Sequence, residues 1–400
     1  MADDFTIADN DDPDHVFATY RDLQQRCPVA HTSDYGGYWA LTRHSDVRAA
    51  ATNSELFISS VKAVVPSDPR GIRRPPLNFD APRHTPFRRA LLRTLSASRV
   101  EEIVRTLEPR AETLFQEFLA ADHDDISQSF GTMLPAYAAA TWLNLDEERV
   151  EWLASTATAW IAAWRNQDKE QVSIHSEEMY AVARWLVDDR AKNPHHGSAD
   201  PATSLLAERV DGQPLDPELI VGALRQSLVV GMVAPPLLFG SMVRHLAENP
   251  DIQDDLRRHP DRRQAATEEY IRLFTPYRGF ARTVSRTTEI AGRIIEPDEP
   301  VTLVYAAANR DPAVFPEPDK FDANRSNISQ HLGFGVGRHQ CVGMHLARGI
   351  IRVGLDALLD GSSSLELVAP PIPTRMPELG YQTVFVRAHT KQKTRLHNGS

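Results

Sequence analysis

The stretch HLGFGVGRHQCVGMHLARGI, residues 331–350, holds Cys341, one of two cysteines in the chain, directly ahead of an amphipathic run. Val342, Leu346, Ile350 and Ile351 recur at helical spacing and predict a helix over 342–359, with Cys341 at its N-terminus. There the positive end of the helix dipole should make the thiol more acidic. Gly333, Gly335 and Gly337 share the preceding loop, where they permit turns closed to other residues and let a bulky planar group approach the main chain. A dinucleotide loop is excluded on spacing, because GxGxxG counted from Gly333 or Gly335 puts Arg338 or Gln340 in place of the third glycine. A lone intracellular cysteine is ordinarily a small buried hydrophobe; three glycines in one loop shift that reading toward a site.

Outward from this loop, the 400 residues show no Gly/Ser linker, charge block, low-complexity tract or repeat. Residues 1–400 therefore read as a single domain, with about 1–15 and 391–400 loose at its ends. Helical periodicity recurs at 43–52, 98–119, 148–164, 173–191, 216–230, 237–248 and 263–274, and strand-like pieces lie at 37–43, 289–296, 301–307 and 381–388. The fold class is mainly α with a small β region. A net charge of -10, from 44 basic and 54 acidic residues, speaks against a general nucleic-acid binder. The acidic start lacks a signal peptide, which leaves the chain in the cytoplasm. Cys27 and Cys341 make neither a disulfide framework nor a zinc spacing.

The uncharged run QSLVVGMVAPPLLFGSMV, 226–243, reaches the lower length limit of a bilayer span, about 17–25 residues. Gln226, Ser227 and Ser241 within it, and the lack of a second candidate, make it a buried helix with no membrane partner. Pro235 and Pro236 are then the oddity. In a helix interior each costs about 3 kcal/mol or more, so the pair should bend or open the helix.

FGVGRHQCVG, Phe334 to Gly343, resembles the haem-ligand signature of the cytochrome P450 family, F-x-x-G-x-[RH]-x-C-x-G, at every fixed position with His339 as the basic one. The resemblance implies the cytochrome P450 fold, with haem b between a long distal helix and a proximal cysteine loop and helix. It makes Cys341 the axial thiolate ligand of the haem iron, with Phe334 packed beside the sulfur and Gly343 completing the cofactor loop. Further stretches carry the same likeness. Glu269 and Arg272 lie three apart on one helix face; in the family this pair is buried and joined by an arginine from a later segment, here Arg325 at the end of ANRDPAVFPEPDKFDANR, 308–325. The triad is assigned to holding the cysteine loop. DAPRHTPFRR, 80–89, resembles the family's H-x-x-x-R and gives His84 and Arg88, which with Arg282 and His339 would hold the two haem propionates. The N-terminal region 20–57 reads similarly, so the likeness covers nearly the whole chain.

One segment departs from it. The family's distal pattern [AG]-G-x-[DE]-T here reads Val230, Gly231, Met232, Val233, Ala234, so the glycine fits while the acid and the alcohol are missing. In the family this helix opens beside the haem, and the acid and threonine help deliver protons. Pro235 and Pro236 would free the carbonyls of Gly231 and Met232, four residues back, and keep the opening by backbone chemistry alone. Gly231, Val233 and Ala234 thus stand at the catalytic positions, and Val230, Val233, Ala234, Arg278 and Phe280 at the substrate pocket. The leading reading is a monooxygenase that inserts one oxygen atom from O2 into a small organic substrate, with electrons from a separate ferredoxin and ferredoxin reductase. A peroxide-using or non-hydroxylating haem-thiolate enzyme is the alternative, and a haem-binding sensor without turnover is a third reading. Arg278 in TPYRGFAR replaces a residue commonly small and apolar in the family. Its planar donors suit a carboxylate, so the substrate would be an acid, aromatic acids included; alternatively Arg278 turns to a propionate or to solvent with its stem along the wall.

Overall fold

A computed structural model of the chain describes residues 3–7, 10–66, 71–121, 123–195 and 200–390. Two long helices, Ala97–Ala120 and Met344–Gly361, pack against each other through Ile103, Leu107, Ala111 and Phe115 on the first and Leu346, Ile350, Ile351 and Leu358 on the second. Each fully buried Leu, Ile or Phe contributes about 1.5–3 kcal/mol, so this pair is a large share of the core. Helices Val150–Arg165 and Lys169–Lys192 form a second antiparallel pair, the latter started by Asp168 accepting from the Gln171 N–H. Across it runs Pro217–Val230, with Asp216 as its cap and Pro217 in its first turn.

The β region is a five-stranded sheet in the order Val29–Thr32, Tyr38–Leu41, Pro300–Leu303, Phe280–Val284, Phe57–Ile58, parallel only between the second and third strands. A smaller sheet joins Ser364–Leu367, Phe385–His389 and Asp124–Asp125.

Several boundaries differ from the sequence reading. The 289–296 piece is a hairpin, Thr288–Ile290 with Arg293–Ile295, because Ala291 and Gly292 turn the chain with φ 48° and 79°. The 301–307 strand stops at Leu303 and gives way to a helical turn, Tyr305–Ala308. Helix Met133–Leu143 carries no amphipathic stripe to announce it, since eight of its 11 residues are buried. The start of the chain is not loose. Phe5 and Ile7 are buried, Asp4 pairs with Arg293 at 2.9 Å, and Asp12 caps helix Pro13–Arg26; two apolar side chains and a paired acid outweigh the ordering entropy of a terminus. The expected loose tail at 391–400 lies outside the described residues.

Candidate active site

The cysteine loop is closed by its own backbone. The Gly335 N–H donates to Leu332 O at 2.8 Å and the Cys341 N–H to Phe334 O at 2.9 Å. Gly335 and Gly337 have φ 66° and 79°, and a Cβ on Gly337 would meet Ala51 O at 2.5 Å, so glycine lets the loop lie against helix His44–Thr52. The proximal helix starts at Met344 with Gly343 as its cap, which leaves Cys341 two residues ahead of the cap with the Gly343 N–H donating to its sulfur. The expected acidification does not follow. Burial pushes the thiol up, outweighing the Gly343 N–H, Arg88 and Arg348.

Cys341 nevertheless presents open surface. Open surface and strong desolvation coexist where a side chain faces an interior space. A Cβ built on Gly231 or on Gly343 would meet nothing within 4 Å. Val230 is 46% exposed although its helix is otherwise buried from Ile220 to Val229 except at Gln226. Gln226, Val230 and half-buried Ala234, four apart, form the open stripe of this distal segment.

The distal helix is broken. Its first half ends at Val230, the Met232 N–H donates to Val229 O at 2.9 Å, and the second half runs Ala234–Glu248. The restart comes three residues earlier than periodicity suggested, because Pro235 and Pro236 sit in a first turn, where N–H groups lack intrahelical partners and proline costs little. Met232 and Val233 are buried, and no acid or alcohol side chain occupies 231–234.

A cationic rim adjoins the cysteine. His84 is buried on helix His84–Arg93, its Nε2 has no partner, and its ring lies 4.5 Å from that of His339. Arg88, one turn on, makes no ion pair or hydrogen bond with a described residue, and Cys341 lies within its field. Arg282 donates only to Ala281 O, at 2.8 Å. Burial, then Arg88, holds His84 down to about 4; burial, then Arg282, His84 and Arg88, holds His339 down to about 3. An orphaned buried imidazole beside Arg88, with Arg282 near its neighbour His339, suits an anionic group, as the two propionates of a haem would be. Among the described residues no cluster of His, Cys, Asp or Glu could hold a metal ion, so an iron at Cys341 would take its remaining ligands from a macrocycle.

Glu269, Arg272 and Arg325 meet in the core behind the loop. Arg272 forks onto Glu269 at 2.8 and 2.7 Å, Arg325 reaches the carboxylate with Nε alone at 3.1 Å, and the Asp322 N–H adds a bond at 3.0 Å. The spare guanidinium donors go to the carbonyls of Asn309, Pro318, Pro316 and Lys320. Phe334 lies beneath Arg348, whose guanidinium is 4.6 Å from the ring centre.

Arg278 does not face the pocket. It is fully buried on the side of the N-terminal segment, paired with Asp11 at 2.5 Å and donating to Glu378 O at 3.1 Å. The expected acid anchor is thereby overturned, because the side chain is buried and turned toward Asp11, with NH1 left buried and without a partner among the described residues. Alternation along an extended strand turns its neighbour Tyr277 the other way. Tyr277 is deeply desolvated yet partly open, feels the charges of Glu378, Arg165 and Cys341, and lies 4.9 Å from the half-buried ring of Phe280. Sequence reasoning missed Tyr277, Glu378 and Arg165. Tyr277 was within reach through a one-residue shift along TPYRGFAR, whereas Arg165 and Glu378 lie 213 positions apart without a motif.

A model of the cytochrome P450 family matches residues 241–363. Steroid C26-monooxygenase of Mycobacterium bovis is 30% identical over 360 residues, 84% of this chain and 78% of the relative. The chain belongs to the cytochrome P450 family. Linalool 8-monooxygenase of Pseudomonas putida is 29% identical over 373 residues, 89% of this chain and 90% of the relative. A solved cytochrome P450 of Mycobacterium marinum in complex with pseudoionone, 23% identical, superposes with a TM-score of 0.84 over 94% of this chain and 95% of the other. The P450 fold of this chain is mainly α, as the sequence indicated, and its relatives are haem-thiolate monooxygenases.

Proposed function

We propose that this P450 is a cytoplasmic haem b enzyme that inserts one oxygen atom of O2 into a small organic substrate, taking electrons from a separate ferredoxin and ferredoxin reductase. The observation that carries the reading is the open surface of Cys341 at the end of its glycine loop, close to four nitrogen-bearing side chains of which three lack an anionic partner among the described residues. When bound there, haem would supply the electron-rich iron at which dioxygen is reduced and split. Cys341 would hold its iron through the sulfur, coordination replacing the proton that burial otherwise retains on the thiol. His84, Arg88, Arg282 and His339 would hold the propionates, Phe334 and Gly343 would shape the proximal side, and Glu269, Arg272 and Arg325 would fix the loop. Val230, Val233, Ala234 and Phe280 would line the substrate pocket. Because no side chain at 231–234 titrates or donates, protons would arrive through ordered water, from another side chain or from a polar group of the substrate. No nucleic acid or membrane enters this scheme; among the described residues the one stretch apolar enough to span a bilayer lies within Pro217–Glu248, and 78% of its most apolar 18 residues are buried in the fold.

The deciding experiment is the spectrum of the reduced holoprotein under carbon monoxide. A Soret band at the thiolate position is expected in the native protein and its loss in Cys341→Ala; an unchanged band in the variant overturns the reading. The missing acid and alcohol also favour a second reading, direct use of hydrogen peroxide. Substrate-dependent NADH consumption with surrogate redox partners supports the first, product formed from peroxide alone supports the second, and product from either excludes a mere sensor.

A further inference from the structure

Glu378 is fully buried and half satisfied. Its Oε2 accepts from Arg165 Nε at 2.8 Å and NH2 at 2.6 Å and from the Thr374 hydroxyl at 2.6 Å, while Oε1 is buried with no partner. An unmade buried hydrogen bond costs about 1–3 kcal/mol, more for a charged group, so a native protein that keeps one has a use for it.

The location of Glu378 indicates that use. It is the cross-strand partner of Tyr277 in an antiparallel bridge, which sets the two side chains beside each other. Tyr277 is partly open and near enough to Cys341 to feel its charge, and its hydroxyl makes no hydrogen bond to a described residue. Gln226, one helical turn before Val230, brings to the same stripe an amide without a described partner. The cation on this wall is committed, since Arg165 forks onto Glu378 and points NH1 at Gln382 Oε1 at 3.5 Å; Arg278 lies on the opposite face of the strand, held by Asp11, with its NH1 buried and without a described partner there. What remains is acceptor capacity at Glu378, reached through a phenol that can accept one hydrogen bond while donating another.

We propose that the wall made by Glu378, Tyr277 and Gln226 recognises a hydroxyl group on an otherwise apolar substrate and disfavours the corresponding carboxylate. A substrate hydroxyl donating to the Tyr277 oxygen would turn the phenol proton toward Oε1 and complete a chain ending on the carboxylate. A substrate carboxylate would meet an acceptor already negative, and the arginine on that side of the strand, Arg165, is already paired with it. The inference deepens the haem-thiolate reading and rests on it for its optical readout.

The test is a titration of the Soret band of the holoprotein with 4-phenylbutan-1-ol, its methyl ether and 4-phenylbutanoate, which share one carbon skeleton. The alcohol should bind about tenfold or more tighter than either of the others. In Tyr277→Phe and in Glu378→Gln that advantage should shrink to about threefold or less, with ether affinity unchanged. An acid or ether that binds as tightly as the alcohol in the native protein overturns the proposal, as does an alcohol advantage that survives in Tyr277→Phe, which keeps the test open should Glu378→Gln fail to fold. Failure of the haem-thiolate reading would instead appear before any ligand is added, as a missing thiolate-type spectrum.

Discussion

Glu269 and Glu378 are both glutamates with no exposed surface, and each is gripped by an arginine fork, yet their second oxygens have opposite fates. Oε1 of Glu269 receives Arg272, Arg325 and the Asp322 N–H, whereas Oε1 of Glu378 receives nothing. The first carboxylate is fully matched, both oxygens accepting from guanidinium or backbone donors, as suits the proposed frame of the cysteine loop. The second keeps an open valence beside the interior space. Burial and an ion pair alone therefore do not distinguish frame from binding wall; the count of unmet hydrogen bonds does.

The largest test of this contrast is Glu269→Gln. It leaves two buried guanidiniums facing an amide and should cost about 3–5 kcal/mol in urea denaturation at pH 7. Next come the rim histidines, orphaned His84 and its neighbour His339, which faces Asp80 at 4.0 Å. Both are held far below the unfolded value of about 6.5, so on acidification the unfolded chain takes up protons that the folded one refuses. Stability of the haem-free protein should be complete above about pH 6.5 and fall by about 2–3 kcal/mol per histidine toward pH 4.5. Urea midpoints measured across that range should flatten in the double variant His84→Gln, His339→Gln, and an unaltered slope would refute the assignment. Glu378→Gln should cost less than half of what Glu269→Gln does, about 1–2 kcal/mol, because Arg165 lies at a helix end and can turn to solvent. Equal losses at the two glutamates would erase the contrast. Smallest is Pro235→Ala, which alters a first turn and should shift stability by less than about 1 kcal/mol in the same assay. A loss of 3 kcal/mol or so would mean that the proline sits in a helix interior.

What the sequence disclosed follows the same division. The Cys341 loop is contiguous, its glycines and cysteine in one short run, and the proline pair announces a broken helix because its backbone chemistry is local. Glu269 and Arg272 share a helix turn, so only Arg325 had to be sought at a distance. The polar wall was not legible. Its members come from four separate segments, and strand parity decides whether Tyr277 or Arg278 looks inward, which sequence offsets alone misassigned by one residue. The thiol's upward shift was likewise hidden, since desolvation depends on what surrounds the loop and not on the helix that follows it.

Asp11 and Arg278 are partners across 267 positions, and the first strand of the main sheet belongs to a layer completed by Pro300–Leu303. During synthesis at about 5–20 residues per second, the opening segment therefore waits some tens of seconds for the residues that cover it. Until then Phe5, Ile7 and Phe17 lack their final neighbours. A nascent chain stalled before residue 278 should be cut by protease within residues 3–26, and one stalled beyond the sheet should resist. For this protein, birth order and burial order run opposite ways at the N-terminus, which makes that end the natural handle for a chaperone.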